Sequence, residues 1–361
     1  MAMLVELFRD AARACLPASP LTNLLLDSVA DDLAESGPMT SVVCGLELGG
    51  AGSVPGLRFA AAVHHLVLSG RAPKLARHYP TAGGRLDPAT FWPAARAAIL
   101  AGSDGVRERA TATAVQTNEP GRMAPCLGGL QVAAQEAARR VGRSTPFPIR
   151  LLEIGASGGL NLRPDRVALE LDGTVVGDET SPLRLDPAWT GRPSADLSAE
   201  LRIVERAGCD LHPSDPNTEE GRLHLSSFVW PDSLERWDRL QAALRLASTD
   251  PITVDRAAGP EWLADRLADL PADVLTVVWH SVVWQYVSAR DRARGREILA
   301  EAAARATDRA PLALLVYESR RMPPGAPMPY RFDLLLRLWP SGLAGRLGTG
   351  GGHGIPFTWL G

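Results

Sequence analysis

Along the first 145 residues, apolar positions recur three and four apart, the spacing of one face of an α-helix. Glu6–Leu16, Leu21–Glu35, Leu57–Ser69, Phe91–Leu100, Val106–Thr117 and Leu127–Val141 all follow it. Ser19-Pro20 supplies a capping hydroxyl and a proline for the first helical position, while Gly49-Gly50 and Gly83-Gly84 punctuate the runs. No stretch here alternates with period two. Residues 1–145 are therefore expected to form an all-helical cap or substrate domain. Ser144-Thr145-Pro146-Phe147-Pro148 reads as a stiff linker to the remainder, with the active site between the two domains.

The pattern changes at Leu151. Leu-Leu-Glu-Ile is a short apolar run of buried-strand character that ends in Gly155, and Leu160–Leu162 reads as a helix start. Val167–Leu171 and Thr174–Val176 flank Asp172-Gly173, a hairpin signal, and Pro182, Pro187 and Pro193 mark irregular backbone. About 163–199 is thus expected to be a β-hairpin insertion. Beyond it come strand-like runs from Leu201 to Asp210, at Ile252–Val254 ending in Asp255, at Val274–Trp279 ending in His280-Ser281, and at Leu312–Tyr317 ending in Glu318-Ser319-Arg320. Helical patterns at Ser233–Ala247, Pro260–Asp269 and Arg292–Thr307 separate them. Tyr330–Trp339 and Ile355–Leu360 read as a closing antiparallel pair. Strands alternating with helices imply a parallel sheet covered on both faces. The expected fold class is α/β over 146–361: a Rossmann-like, mostly parallel sheet with an antiparallel C-terminal strand, preceded by the all-α domain.

Composition narrows the chemistry. With 361 residues, 45% apolar and 22% charged, the chain is an ordinary globular sequence long enough for two cores. A net charge of −3 without a basic stripe excludes nucleic acid as the expected partner. Cys15, Cys44, Cys126 and Cys209 are scattered and form no C-x-x-C pair, which fits a reducing cytoplasm better than a disulfide framework or zinc site. Glu6 and Asp10 occupy the place of a signal peptide's apolar core, and no apolar run has the length of a membrane span. A small-molecule substrate is the expected partner; a homodimer is left open.

Gly155-Ala156-Ser157-Gly158-Gly159 satisfies two chemistries. It matches the G-x-S-x-G nucleophile elbow, with Ser157 followed by Asp255 or Asp273 and then His280 or His353 in hydrolase order. It also suits a cofactor loop, with Glu153 two residues before Gly155. A hydrolase elbow follows several strands of its sheet and none is legible upstream, so the cofactor reading is preferred. In a parallel sheet the strand ends share one edge. Glu153, Asp210, Asp255, His280 and Glu318 are expected to meet there, with His280 as general base and Glu318 as a second catalytic candidate. Gln116, Asn118 and Glu119, in a dense polar run, are candidates for the substrate side, as are Arg320 and His353 of the glycine-rich loop 350–354. His64-His65 reads as helix packing, and without H-E-x-x-H or comparable spacing no metal is expected.

The order of elements over 150–361 resembles the class I S-adenosylmethionine (AdoMet)-dependent methyltransferases. Most of the chain also resembles a bacterial family, domain of unknown function 2332. That resemblance rests on Gln116-Thr-Asn-Glu119, the stretch Leu152-Glu-Ile-Gly-Ala-Ser-Gly-Gly-Leu-Asn-Leu162, Phe228-Val-Trp-Pro-Asp232 and Trp279-His-Ser-Val-Val-Trp-Gln-Tyr286. The methyltransferase resemblance implies AdoMet as cofactor. Glu153, Gly155, Ala156, Ser157 and Gly159 would face its methionyl and ribose part, Asp210 the ribose hydroxyls, and Asp255 the adenine amino group. His280 would stand where substrate and methyl group meet. The implied activity is methyl transfer to an oxygen or nitrogen of a small molecule. The alternatives are a serine hydrolase using Ser157 and a non-catalytic protein that binds AdoMet or a partner.

Overall fold

The computed structural model describes residues 2–49, 54–112, 115–323, 326 and 330–360. They form two compact units, one of 1–117 with 216–241 and the other of 118–215 with 242–361. The division falls at 117/118, earlier than the expected 145/146, and Ser144–Pro148 lies inside the second unit. Helices run in the order α1 (Ala2–Cys15), α2 (Pro20–Ala34), α3 (Met39–Val43), α4 (Pro55–Leu68), α5 (Pro73–Ala76), α6 (Pro88–Ala101), α7 (Ser103–Ala112), α8 (Met123–Arg140), α9 (Glu219–Ser227), α10 (Leu234–Thr249), α11 (Gly259–Arg266) and α12 (Ala289–Arg305). Among the described residues, no helix is long and apolar enough to cross a membrane.

The first unit contains α1 to α7 and α9 around a core that includes Phe8, Leu25, Val29, Phe59, Val63, Phe91 and Ile99. Ser19 caps α2 as its sequence announces, accepting from Thr22 N at 3.1 Å. Asp232 adds a second acceptor there, taking Leu21 N at 2.9 Å and the Ser19 hydroxyl. The Phe228–Asp232 string thus has a structural task. His64 is a core residue: its Nδ1 donates to Ser227 O at 3.2 Å, and its Nε2 accepts from the Thr81 hydroxyl at 2.8 Å.

The second unit is built on a nine-stranded sheet. The strands of the unit are β1 (Ile149–Ile154), β2 (Ala168–Leu171), β3 (Thr174–Gly177), β4 (Arg184–Leu185), β5 (Trp189–Thr190), β6 (Ile203–Asp210), β7 (Val254–Arg256), β8 (Leu275–Ser281), β9 (Leu312–Arg321), β10 (Tyr330–Trp339), β11 (Leu343–Gly350) and β12 (Phe357–Trp359). The order is β5-β12-β11-β10-β9-β8-β1-β6-β7, with β2, β3 and β4 in a separate three-stranded sheet. The five strands β7-β6-β1-β8-β9 are parallel, and β10, β11 and β12 follow in antiparallel sequence. Numbered along the chain, the parallel half runs 3-2-1-4-5, the order of one half of a doubly wound sheet and its switch point.

Both faces are covered. On one, Leu152, Ile154, Cys209, Val278 and Leu312 pack with Trp262 and Leu263 of α11 and Ile298 and Ala302 of α12. The opposite face takes α8, which therefore belongs to this unit and not to the helical domain. A Cβ on Gly129 would meet Leu315 at 2.7 Å, and one on Gly128 would meet Trp359 at 2.2 Å. The Gly128-Gly129 pair lets α8 lie close against β9 and β12.

Three local expectations are revised and one helix is added. Leu160–Leu162 is a single turn of 3-10 helix, because Pro164 lacks the N–H that a continuing helix would donate. The hairpin forms as expected, with Leu171 opposite Thr174 and positive φ at Asp172 (50°) and Gly173 (77°), but the same segment also contributes β5 to the main sheet. The closing pair is not direct: β11 lies between β10 and β12. Its sequence, Leu-Ala-Gly-Arg-Leu-Gly-Thr-Gly, has too little β-prone apolar content to announce a strand. Finally, α9 is short and polar and carried no apolar stripe to reveal it.

Candidate functional site at the carboxyl edge of the sheet

The five polar strand ends do share one edge, but alternation divides them between its faces. Glu153 pairs with Trp279 across β1 and β8, and Asp210 has the same parity as Gly208, the partner of Glu153. His280 pairs with Val316, two residues before Glu318, and Asp255 pairs with Cys209. Glu153 and Asp210 therefore belong to the face of α8; His280, Glu318 and Asp255 belong to that of α11 and α12.

The turn after β1 is saturated with internal hydrogen bonds. Gly155 N and Ala156 N donate to Cys209 O at 2.9 and 3.0 Å, and Ser157 N donates to Asp210 Oδ2 at 2.9 Å. Gly158 N and Leu160 N share Asn118 Oδ1 at 3.2 and 3.1 Å, while Gly159 N donates to Ala156 O at 2.7 Å. Buried Arg163 closes the arrangement from NH1 to Gly159 O at 2.8 Å and holds Asp250 O through its other nitrogens. Six successive amides, 155 to 160, thus have protein acceptors. Such a turn offers no cradle for phosphate, whose binding depends on outward-pointing amides. Asn118, expected on the substrate side, is a clamp on this turn.

Glu153 is the group left without a full set of partners. Its carboxyl is buried and Oε2 has no hydrogen bond, as is true of Trp279 Nε1, which faces it from the neighbouring strand. Burial pushes the Glu153 pKa up to about 8; Arg122 and Trp279 pull it down, Asp210 adds to the rise, and Arg163 opposes it. Cys126, buried nearby, is held well above the usual thiol range by burial and by the charges of Glu153 and Asp165. Arg122, also buried, donates from Nε to Gly352 O at 3.0 Å, tying the start of α8 to the glycine-rich loop.

On the other face of the edge, His280 and Glu318 form a dyad. His280 Nδ1 lies 2.7 Å from Glu318 Oε1, and the same oxygen accepts from Val283 N at 3.1 Å and Trp284 N at 3.2 Å. An ionised carboxylate can only accept, so Nδ1 carries the proton and Nε2 presents its lone pair. No described residue hydrogen-bonds Nε2. The indole of Trp284 stacks on the imidazole at 4.7 Å and 15°, fixing the ring plane.

One strained residue builds this corner. Val282 has φ of +53°, unusual for a β-branched side chain, and turns the chain so that the next two amides reach Glu318. Val283 also connects the dyad to the turn after β1. Gly155 has φ of +71°, and a Cβ there would lie 2.3 Å from Val283 Cγ2. Gly155 therefore supplies both the left-handed conformation and the clearance.

The other expected site residues have different tasks. Both oxygens of Asp210 hold backbone, Oδ2 taking Ser157 N and Oδ1 taking His212 N at 2.9 Å. Asp255 Oδ2 accepts from Trp262 Nε1 at 2.7 Å and Arg266 NH2 at 2.8 Å, which holds its pKa below the usual carboxylate value. Glu119 accepts from Gly121 N and lies 3.5 Å from His353 Nδ1. Gln116 is buried and falls in the first unit. Arg320 approaches Asp333, not Glu318.

A hydrolase triad is not assembled from the residues that the chain order proposed. Asp255 is engaged with α11, Asp273 pairs with Arg309 at 2.7 Å, and the acids beside the two histidines are Glu318 and Glu119. Ser157 does have a positive φ of 54°, but a 3-10 turn follows where an elbow requires a helix. Arg122, Arg163 and Asp333 went unnoticed in the sequence. The signal for Asp333 was present as Arg331 and Asp333 at period two near the start of a mainly apolar strand.

Comparison with known proteins gives one match. The profile of a family described as uncharacterized protein conserved in bacteria, domain of unknown function 2332, covers residues 5–359. Neither curated proteins nor solved structures yield a significant match.

Proposed function

The chain belongs to this bacterial family, whose description names no reaction, and we propose from the site itself that it is an AdoMet-dependent methyltransferase acting on an oxygen or nitrogen of a small molecule. The observation that carries the reading is the His280–Glu318 dyad, with Nε2 presented at the carboxyl edge of a 3-2-1-4-5 parallel sheet, joined through Val283 to the glycine turn of the first strand. The turn suits such a cofactor. A sulfonium nucleoside needs close backbone approach and polar partners for its amino-acid and ribose groups, not a nest of free amides. Glu153 Oε2 and Trp279 Nε1 are buried polar atoms beside that turn that have at most each other to satisfy them, the kind of pair that a bound polar ligand engages.

Glu153, Gly155 and Ala156 would hold AdoMet, with Asp210 and Asn118 keeping their loop in shape. When bound, AdoMet supplies an electrophilic methyl group. His280 Nε2 accepts the proton of the attacking hydroxyl or amine, and Glu318 steadies the resulting imidazolium through Nδ1–H. Trp284 holds the ring in plane. Orientation of the acceptor against the methyl group provides most of the remaining gain.

Calorimetry with AdoMet and S-adenosylhomocysteine tests the proposal. Saturable binding of either, lost in Gly155→Val, is the expected result. Folded wild-type protein that binds neither overturns it.

A further inference from the structure

On the sheet face that carries the dyad, three arginines surround one carboxylate. Asp333 on β10 is the cross-strand partner of Glu318 and is buried. Arg331 forks onto it, Nε to Oδ1 at 2.7 Å and NH2 to Oδ2 at 3.0 Å, which raises the guanidinium's already high pKa. Arg320, the cross-strand partner of Arg331, comes to 3.8 Å of Oδ2, and Arg346 on β11 comes to 3.6 Å of Oδ1. Neither of these last two guanidiniums makes a hydrogen bond to a described residue.

The charges do not balance. One carboxylate faces three guanidiniums, and its best geometry is taken by Arg331. Glu318, opposite Asp333, is turned the other way: its Oε1 takes His280 and two backbone amides, and it makes no ion pair with a described arginine. Like charges directly opposite on a sheet are destabilising, yet Arg320 and Arg331 are held opposite by the ladder. An oxyanion relieves that repulsion and satisfies the donors of Arg320 and Arg346, since the planar guanidinium fork matches carboxylate and phosphate oxygens.

We propose that Arg320 and Arg346, with Arg331 locked on Asp333, form the binding site for a carboxylate or phosphate group carried by the small-molecule substrate. Adjacent strands lie about 4.8 Å apart, so a group bound over β9 to β11 stands within about two strand spacings of Glu318. A small metabolite spans that distance to His280. Only the naming of the guest as the methyl acceptor rests on the methyltransferase reading; the anion site itself does not.

Ligand-observed NMR on the full chain tests it, with inorganic phosphate followed by 31P line broadening and acetate by saturation transfer, both at ionic strength matched with chloride. One oxyanion is expected to bind saturably in the millimolar range, with affinity falling roughly tenfold or more in Arg320→Met/Arg346→Met. Arg294→Met, on α12, is the control expected to leave binding intact. Should the double variant fold poorly, Arg320→Met alone, at a largely exposed side chain, is expected to weaken binding in the same direction. Which probe binds distinguishes phosphate from carboxylate. No saturable binding of either, or binding unchanged in the arginine variants, overturns the site. Oxyanion binding without AdoMet binding leaves the arginine site standing and removes the methyltransferase reading; AdoMet binding without oxyanion binding does the reverse.

Discussion

His280 Nδ1 stands 2.7 Å from Glu318 Oε1, and that one oxygen also receives the amides of Val283 and Trp284. The carboxylate therefore orients a base and holds the turn that carries the base's stacking partner. His280→Ala is expected to lower turnover by about 10²- to 10⁴-fold while preserving the fold. Glu318→Gln retains an oxygen acceptor and should keep the Nδ1–H tautomer with reduced turnover. Glu318→Ala releases the two amides, with an expected cost of about 1–3 kcal/mol. Long-range 1H–15N correlation of the imidazole separates the cases: a fixed Nδ1–H tautomer is expected in wild type and Glu318→Gln, and mixed tautomers in Glu318→Ala.

Glu153 makes stability depend on pH in the direction opposite to an ion-paired carboxylate. Its folded pKa is raised from 4.5 to about 8, so between these values the native state binds more protons than the unfolded state. Stability contributed by the protonated group is full below the unfolded pKa and is lost as pH rises toward 8. Glu153→Gln mimics the protonated form and should flatten this slope. Denaturant unfolding at about pH 5 and about pH 9 checks it, with the variant gaining on wild type only at the higher pH.

The opposite sign is expected from His64. Burial, together with neighbouring His65, lowers its pKa from 6.5 to about 4 against two raising backbone contacts, so stability is full above the unfolded value and declines as pH falls toward 4. His64→Gln should cost about 1–3 kcal/mol at neutral pH through its lost bonds and reduce the acid-side slope. His65, with its pKa lowered to about 4 mainly by burial, retains its share of that slope. Urea melts of both proteins between about pH 7 and about pH 5 measure the difference.

Val282 bears strain that a more tolerant residue would relieve. Asn adopts the left-handed region more readily than a β-branched residue, so Val282→Asn is expected to raise stability by about 1 kcal/mol. A fall in melting temperature would show that the side chain's packing outweighs the backbone cost.

What the sequence could reveal followed the range of its signals. Helical periodicity, the Ser19 cap and the Asp172-Gly173 hairpin are local, and each appears in the structure where its residues place it. The convergence of Glu153, Asp210, Asp255, His280 and Glu318 on one edge followed from strand–helix alternation alone. Their division between two faces did not, because parity depends on register between strands far apart in the chain. Asp210 and Asn118 illustrate the same limit: both are polar residues in places that suggest a ligand contact, but their oxygens accept backbone amides of the turn 155–160 and, for Asp210, of His212. The arginine cluster at Asp333 was hidden for a related reason, since β11 has almost no strand-like sequence to bring Arg346 into the picture.

Asp210 now has a structural role that can be separated from ligand recognition. Its two oxygens hold Ser157 N and His212 N at 2.9 Å each, linking the end of β6 to the turn after β1. Asp210→Ala leaves both amides without these acceptors and should cost about 1–3 kcal/mol, whereas Asp210→Asn keeps one carbonyl oxygen and should cost less. Hydrogen exchange over 151–162 gives the direct readout, because an amide that loses its acceptor exchanges through local opening of the turn. Faster exchange is expected in Asp210→Ala, with a smaller effect in Asp210→Asn. AdoMet binding should weaken in step with that loosening. If Asp210→Asn instead abolished AdoMet binding while exchange in the turn stayed at the wild-type rate, Asp210 would contact the cofactor itself, as its place at the end of the second parallel strand implies.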